Sequence, residues 1–203
     1  EEILAKGPRR HHPAAMALRG GEPTRLTSLQ NGVSSFQWSP DGRRLVVVGR
    51  SGPSDTAPSP SDVRHYKHAD YKFNDTGWHD DTRAHLWVVD ASTGSANQIT
   101  SGDDWDDRDP QWSPDGQRIA FVSDRTGKAY DESINTDVWV ISASGGPRTK
   151  ISHHETGDDS PRWSPDGQTI AFLSSVPRTA HPKIWLAPST GGAPSKAGGG
   201  GLG

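Results

Sequence analysis

Acidic and imidazole side chains gather at several places in this chain. The densest is Asp103-Asp104-Trp105-Asp106-Asp107-Arg108-Asp109, and Asp158-Asp159-Ser160 echoes it further on. A hard cation needs several oxygen ligands in a defined geometry. The run lacks the Asp-x-Asp-x-Asp-Gly spacing with a distal Glu that supplies one. Both stretches therefore read as solvated loops whose carboxylates bond their own turns, and no metal or other cofactor is expected. His79-Asp80-Asp81 and His153-His154 have the residue types of half a catalytic triad. The nine His are scattered, however, and none forms a His-x-x-x-His helix pair. They read as polar loop histidines. Tyr71, Trp78 and Arg83 stand in a basic and aromatic stretch, and are the candidates for contact with a substrate or another domain.

The elements that must position these residues come from a repeat. Trp-Ser-Pro-Asp-Gly occurs three times, at Trp38–Gly42, Trp112–Gly116 and Trp163–Gly167. Each copy is followed by an apolar run: Leu45–Val48, Ile119–Val122 and Ile170–Leu173. A second tryptophan then arrives in Leu86-Trp87-Val88, Val138-Trp139-Val140 and Ile184-Trp185-Leu186, and each leads into a Gly turn. Leu26-Thr27, Ile99-Thr100 and Ile151-Ser152 are closing pairs. Pro presets φ in the first turn, Asp bonds its own backbone, and Gly accepts positive φ. Apolar runs on both sides make a hairpin. The second run and its Gly turn make another. One repeat is thus four antiparallel strands, A to D. Strand A ends at the first Trp, B is the apolar run, C holds the second Trp, and D ends at the closing pair. Trp38, Trp87, Trp112, Trp139, Trp163 and Trp185 recur in register and read as core.

Spacing shows where insertions are tolerated. The first Trp precedes the second by 49, 27 and 22 residues in successive repeats, whereas the second precedes the next first by 25 and 24. The extra length lies between strands B and C, about residues 50–83 in the first repeat. Alternation places the B–C and D–A connections at one end of each sheet and the tight turns at the other. The unit has the size of a propeller blade. The reading is all-β: about three four-stranded antiparallel blades of an incomplete ring, with almost no helix. Its parts are an irregular partial blade over 1–29, blades over 30–101 (with the 50–83 insertion), 102–152 and 153–193, and a Gly-rich tail over 194–203.

Composition agrees. Hydrophobic residues are 30%, Gly and Pro number 23 and 16, and the eight Trp argue against disorder. Gly and Pro at that density exclude a helical bundle. No apolar run spans a membrane. A net charge of −3 gives no footprint for nucleic acid. There is no Cys, hence no disulfide framework or thiolate site. The chain opens on Glu-Glu-Ile without Met or a signal-peptide pattern. A piece of something longer is the expectation, and a cytoplasmic location is favoured.

The Trp-Ser-Pro-Asp-Gly blade resembles the WD40-like or TolB-like propeller repeat. With Ser61-Asp62-Val63-Arg64, Tyr71-Lys72-Phe73 and His85–Asp90 in the first unit, the chain is similar to the N-terminal propeller of acylaminoacyl-peptidase-like serine peptidases of the prolyl oligopeptidase family, over residues 20–193. The resemblance implies a seven-bladed ring that limits substrate size. It also implies an α/β-hydrolase domain as partner, carrying a Ser-Asp-His triad, and peptide substrates. No Gly-x-Ser-x-Gly elbow occurs here, so no catalytic residue can be assigned, and this chain alone is expected to be inactive. Two other readings remain open. One is a stand-alone TolB-like interaction propeller, which would be periplasmic. The other is a propeller enzyme such as a polysaccharide lyase, which would need a carboxylate–His constellation.

Overall fold

The computed structural model describes residues 14–15, 24–52, 72–73, 77–78, 82–126, 135–176 and 181–196. Its strands are β1 (Ala14–Ala15), β2 (Thr24–Arg25), β3 (Val33–Trp38), β4 (Arg44–Ser51), β5 (Lys72–Phe73), β6 (Gly77–Trp78), β7 (Arg83–Asp90) and β8 (Ala96–Gln98). They continue with β9 (Asp107–Trp112), β10 (Arg118–Ser123), β11 (Asp137–Ser142), β12 (Arg148–Lys150), β13 (Asp158–Trp163), β14 (Thr169–Ser174), β15 (Lys183–Pro188) and β16 (Ser195–Lys196). Three antiparallel four-stranded sheets result, in the orders β3-β4-β7-β8, β9-β10-β11-β12 and β13-β14-β15-β16. β1 pairs with β2, and β5 with β6. No helix occurs among the described residues.

Strand A of every sheet ends at its first Trp, as the repeat predicts. The turn that follows is held mainly by its serine. Ser113 Oγ accepts from the Arg118 amide at 2.9 Å and shares its one proton between the Arg118 carbonyl, 3.0 Å away, and the Asp115 carboxylate. Ser39 and Ser164 repeat these bonds. The fourth turn residue, Gly42, Gly116 or Gly167, has φ of 68°, 66° or 70°, a region that L-residues avoid. Asp41, Asp115 and Asp166 each accept from that serine, and the bond holds their carboxyls below the ordinary aspartate range.

Strand D is shorter and more polar than expected. β8 and β12 stop one residue before their closing pairs. The pair instead caps strand C. The Ile99 and Ile151 amides donate to the Leu86 and Val138 carbonyls, while the Leu86 and Val138 amides donate to Thr100 and Ser152 hydroxyls. In the third sheet strand D is β16, two residues beyond the expected 193 boundary, with Lys196 opposite Trp185 just as Gln98 and Lys150 stand opposite Trp87 and Trp139. Ladder bonds rather than an apolar pair define this strand, so Ser-Lys suffices.

Sheets stack face to face through apolar residues. Val46, Val48, Leu86 and Val88 of the first meet Trp112, Ile119, Phe121 and Ile141 of the second. Ala120, Val138 and Val140 of the second meet Ile170, Phe172 and Ala187 of the third. A polar clamp accompanies each seam. Trp112 Nε1 donates to the Gln37 carbonyl, and Trp163 Nε1 to the Gln111 carbonyl. Arg44 covers the Trp112 ring at 4.9 Å and bonds the Gly116 carbonyl. Arg118 does the same to Trp163 and Gly167.

One core assignment needs correction. Trp112 is 6% exposed, but Trp38 is 47% exposed. The preceding sheet covers part of a first-position Trp, as it does for Trp112 and Trp163, and no described four-stranded sheet precedes the first one. Trp87, Trp139, Trp163 and Trp185 are half-buried and pack against their clusters.

Candidate functional site

Strand alternation gathers the B–C and D–A connections at one end of the stack, and most of the buried charge lies there. Between the first two sheets, His85 Nδ1 lies 3.3 Å from Asp107 Oδ2, and His85 Nε2 lies 2.9 Å from the Gly102 carbonyl. Arg125 Nη2 bonds the other Asp107 oxygen, and the Arg125 guanidinium sits 4.7 Å over the Trp105 ring. Burial pulls the Arg125 pKa down from its ordinary value, with Asp107 opposing. Nearby, Asp106 accepts from the Ala84 amide at 2.6 Å. Asp124 ties the base of the next B–C loop, accepting from the Thr126 and Asn135 amides.

The second seam carries a different set. His154 Nδ1 lies 3.0 Å from Asp158 Oδ1, with its ring edge-on to Trp185. Lys150 Nζ lies 2.8 Å from Asp137 Oδ2. Burial pushes the Asp137 carboxyl above its ordinary value, and Lys150 only partly offsets this.

A third polar row follows the edge strands. Gln37 donates to Gln111 and accepts from the Trp112 amide. Gln111 donates to Asp109, which lies 3.7 Å from Arg162. Asp109 and Ser160 have φ of 48° and 55° at bulges in β9 and β13, each directly before a proline.

These groups do not make an acyl-transfer site. A triad histidine needs a carboxylate on one nitrogen and a nucleophile's hydroxyl on the other. His85 has the carboxylate, but its second nitrogen faces a main-chain carbonyl, which has no proton to give. No group of three or more His, Cys, Asp or Glu with metal-binding disposition occurs among the described residues. The arrangement can orient loops and hold charge at one end of a rigid stack.

The family described as the dipeptidyl peptidase IV (DPP IV) N-terminal region matches residues 68–179. The chain belongs to this family. Similar curated proteins include peptidases and TolB proteins. The uncharacterized peptidase YuxL of Bacillus subtilis is 30% identical over 144 residues, 71% of this chain and 17% of YuxL. Dipeptidyl-peptidase 5 of Porphyromonas gingivalis is 34% identical over 110 residues, 46% of this chain and 16% of that protein. The Tol-Pal system protein TolB of Anaeromyxobacter dehalogenans is 31% identical over 147 residues, 72% of this chain and 25% of TolB. The chain thus spans a quarter or less of each. Among solved structures, Pyrococcus horikoshii acylaminoacyl peptidase superposes with a TM-score of 0.58 at 18% identity, covering 86% of this chain and 26% of that one. This likeness shows the fold, a set of β-propeller blades.

Within this family frame, two of the three expected contact residues fall on described strands. Tyr71, like His79-Asp80-Asp81, lies outside the described residues. Trp78 ends β6, opposite Lys72. Arg83 starts β7 and is 4% exposed, with Nη1 bonded to the Thr82 carbonyl. That is a buried packing position, not an open contact surface. Sequence reasoning missed the clamp arginines, although Arg44 and Arg118 share one offset, two residues after the turn Gly. It also missed the Asp107–Arg125 pair, whose partners stand 18 residues apart with no motif joining them.

Proposed function

We propose that this chain is the propeller portion of a serine peptidase, supplying no catalytic residue and serving as scaffold and size filter for an α/β-hydrolase domain. The observation that carries this reading is membership of the dipeptidyl peptidase IV N-terminal region family over residues 68–179. The fold supports it: a stack of rigid blades with long B–C connections at one end is suited to cover another domain and to present loops toward it. Peptides would be the substrates of the whole enzyme, reaching its site only when small or extended enough to pass the propeller.

The test has two arms. The pure 203-residue chain is assayed on acylaminoacyl and dipeptidyl chromogenic substrates, with and without a serine-directed inhibitor, and no inhibitor-sensitive turnover is expected. The gene is then read on both sides of this segment and its whole product assayed in the same way. A downstream Gly-x-Ser-x-Gly domain with inhibitor-sensitive activity agrees with the proposal, and turnover by the isolated chain overturns it.

A second reading is a TolB-like binding module, favoured by the 31% identity to a TolB over 72% of the chain. It requires an export signal upstream, no hydrolase domain downstream, and a protein partner recovered by pull-down.

A further inference from the structure

The two seams use equivalent positions differently. His85 and Asp137 each stand two residues before a strand-C Trp, and Asp107 and Asp158 each stand five before a strand-A Trp. At the first seam, Asp107 has a partner on both oxygens, His85 and Arg125. At the second seam a carboxylate replaces the histidine, and Val176 stands at the offset of Arg125. Asp137 and Asp158 are 2% and 0% exposed. Asp137 Oδ1 and Asp158 Oδ2 are buried with no hydrogen-bond partner. The Asn135 side-chain oxygen is a third orphan acceptor two residues from Asp137. The segments touch directly: the Asp158 amide donates to the Thr136 carbonyl at 2.7 Å, and Thr136 Oγ1 donates back to the Asp158 carbonyl.

We propose that Asp137 and Asp158 act as one proton-binding pair, so that the seam between the second and third sheets takes up a proton in mildly acidic solution and tightens. Buried acceptors without donors are costly, and the Asp158 charge across the seam makes an ionised Asp137 costlier still. A proton on one oxygen removes a charge and supplies a donor. The surrounding charges set the limits. Lys150 faces Asp137 from β12, His154 faces Asp158 from the D–A loop, and His153 acts on Asp137 at longer range. From β10, the ladder neighbour of Asp137 is the uncharged Ser123. The upward displacement of the Asp137 carboxyl by burial agrees. For a group whose folded value is raised, the folded state binds the extra proton, so this contribution is fully present below the unfolded value and fades as pH rises through the folded value. It runs opposite to the turn aspartates.

The test compares urea unfolding of the native chain, Asp137→Asn and Asp158→Asn between about pH 4 and pH 8. The stability of Asp137→Asn relative to the native chain should grow as pH rises. The limit is about tenfold in the folding constant per pH unit, the slope of one proton. Carbon-13 NMR of the native chain's aspartate carboxyls gives a second readout that needs no variant, with one proton expected to bind the pair above the ordinary aspartate range. A pH-independent difference, or ordinary titration of both carboxyls, overturns the proposal. So does calcium or sodium raising the native midpoint at neutral pH but not that of Asp137→Asn, because the missing charge is then a metal ion.

Discussion

Trp112 and Trp38 occupy the same repeat position, and among the described residues only Trp112 has a four-stranded sheet in front of it, so truncating each isolates what a neighbouring blade contributes. Removing a buried Trp side chain costs about 3–5 kcal/mol. Trp112, at 6% exposure, falls in the upper part of that range, because Trp112→Ala also removes the bond to the Gln37 carbonyl and the ring beneath Arg44. Trp38, at 47% exposure, has already given up about half its transfer energy to water, so Trp38→Ala should cost at most about 2 kcal/mol. The assay is urea unfolding followed by far-ultraviolet circular dichroism, which does not depend on the deleted fluorophore. The gap of roughly 2 kcal/mol is a large share of the stability of any single domain. Equal losses for the two variants, at unchanged dependence on urea, would refute the idea that the first-position Trp is an inter-blade residue.

Arg118→Met keeps the aliphatic stem but loses the stack on Trp163 and the bond to Gly167. It should cost about 1–2 kcal/mol, and restoration by Arg118→Lys should be partial, which thermal melts will read. Ser113→Ala removes the acceptor of the Arg118 amide in a part-buried turn and should cost about 1 kcal/mol by urea titration. The turn aspartates have folded values below the unfolded one, so their contribution is present above the ordinary aspartate range and lost as pH falls through the folded values. Asp115→Asn should therefore flatten the acid limb of the stability–pH curve and leave its neutral limb nearly parallel to that of the native chain.

The repeat was legible because each of its parts has a local cause. Pro, Asp and Gly fix the turn within five residues, and β-branched runs beside it declare the strands, so the A, B and C strands fell where spacing placed them. Strand D was less legible because its residues carry no pattern of their own. Ala-Asn-Gln, Arg-Thr-Lys and Ser-Lys become strands only because strand C offers them a ladder. Burial was harder still. Trp38 and Trp112 sit in the same five-residue motif, and nothing within it records whether another sheet stands alongside. The buried charges at the loop end were read as solvated loop residues for the same reason. Asp107 meets His85, 22 positions earlier, and Arg125, 18 later, and only the completed stack brings the three together.

The clamp between blades also has a direction in time. Trp112 reaches back 75 residues to the Gln37 carbonyl, and Trp163 reaches back 52 to that of Gln111. Each new blade therefore closes onto one already synthesised, and brings with it the Trp112 or Trp163 ring and the Gly116 or Gly167 carbonyl that Arg44 or Arg118 of the earlier blade takes up. Synthesis proceeds slowly compared with the forming of a hairpin. The growing chain thus behaves like a zipper drawn from its amino end, in which every finished blade is the template for the next. A lesion in the first blade is met by every blade that follows, whereas one in the third is met only after the first seam has its partners.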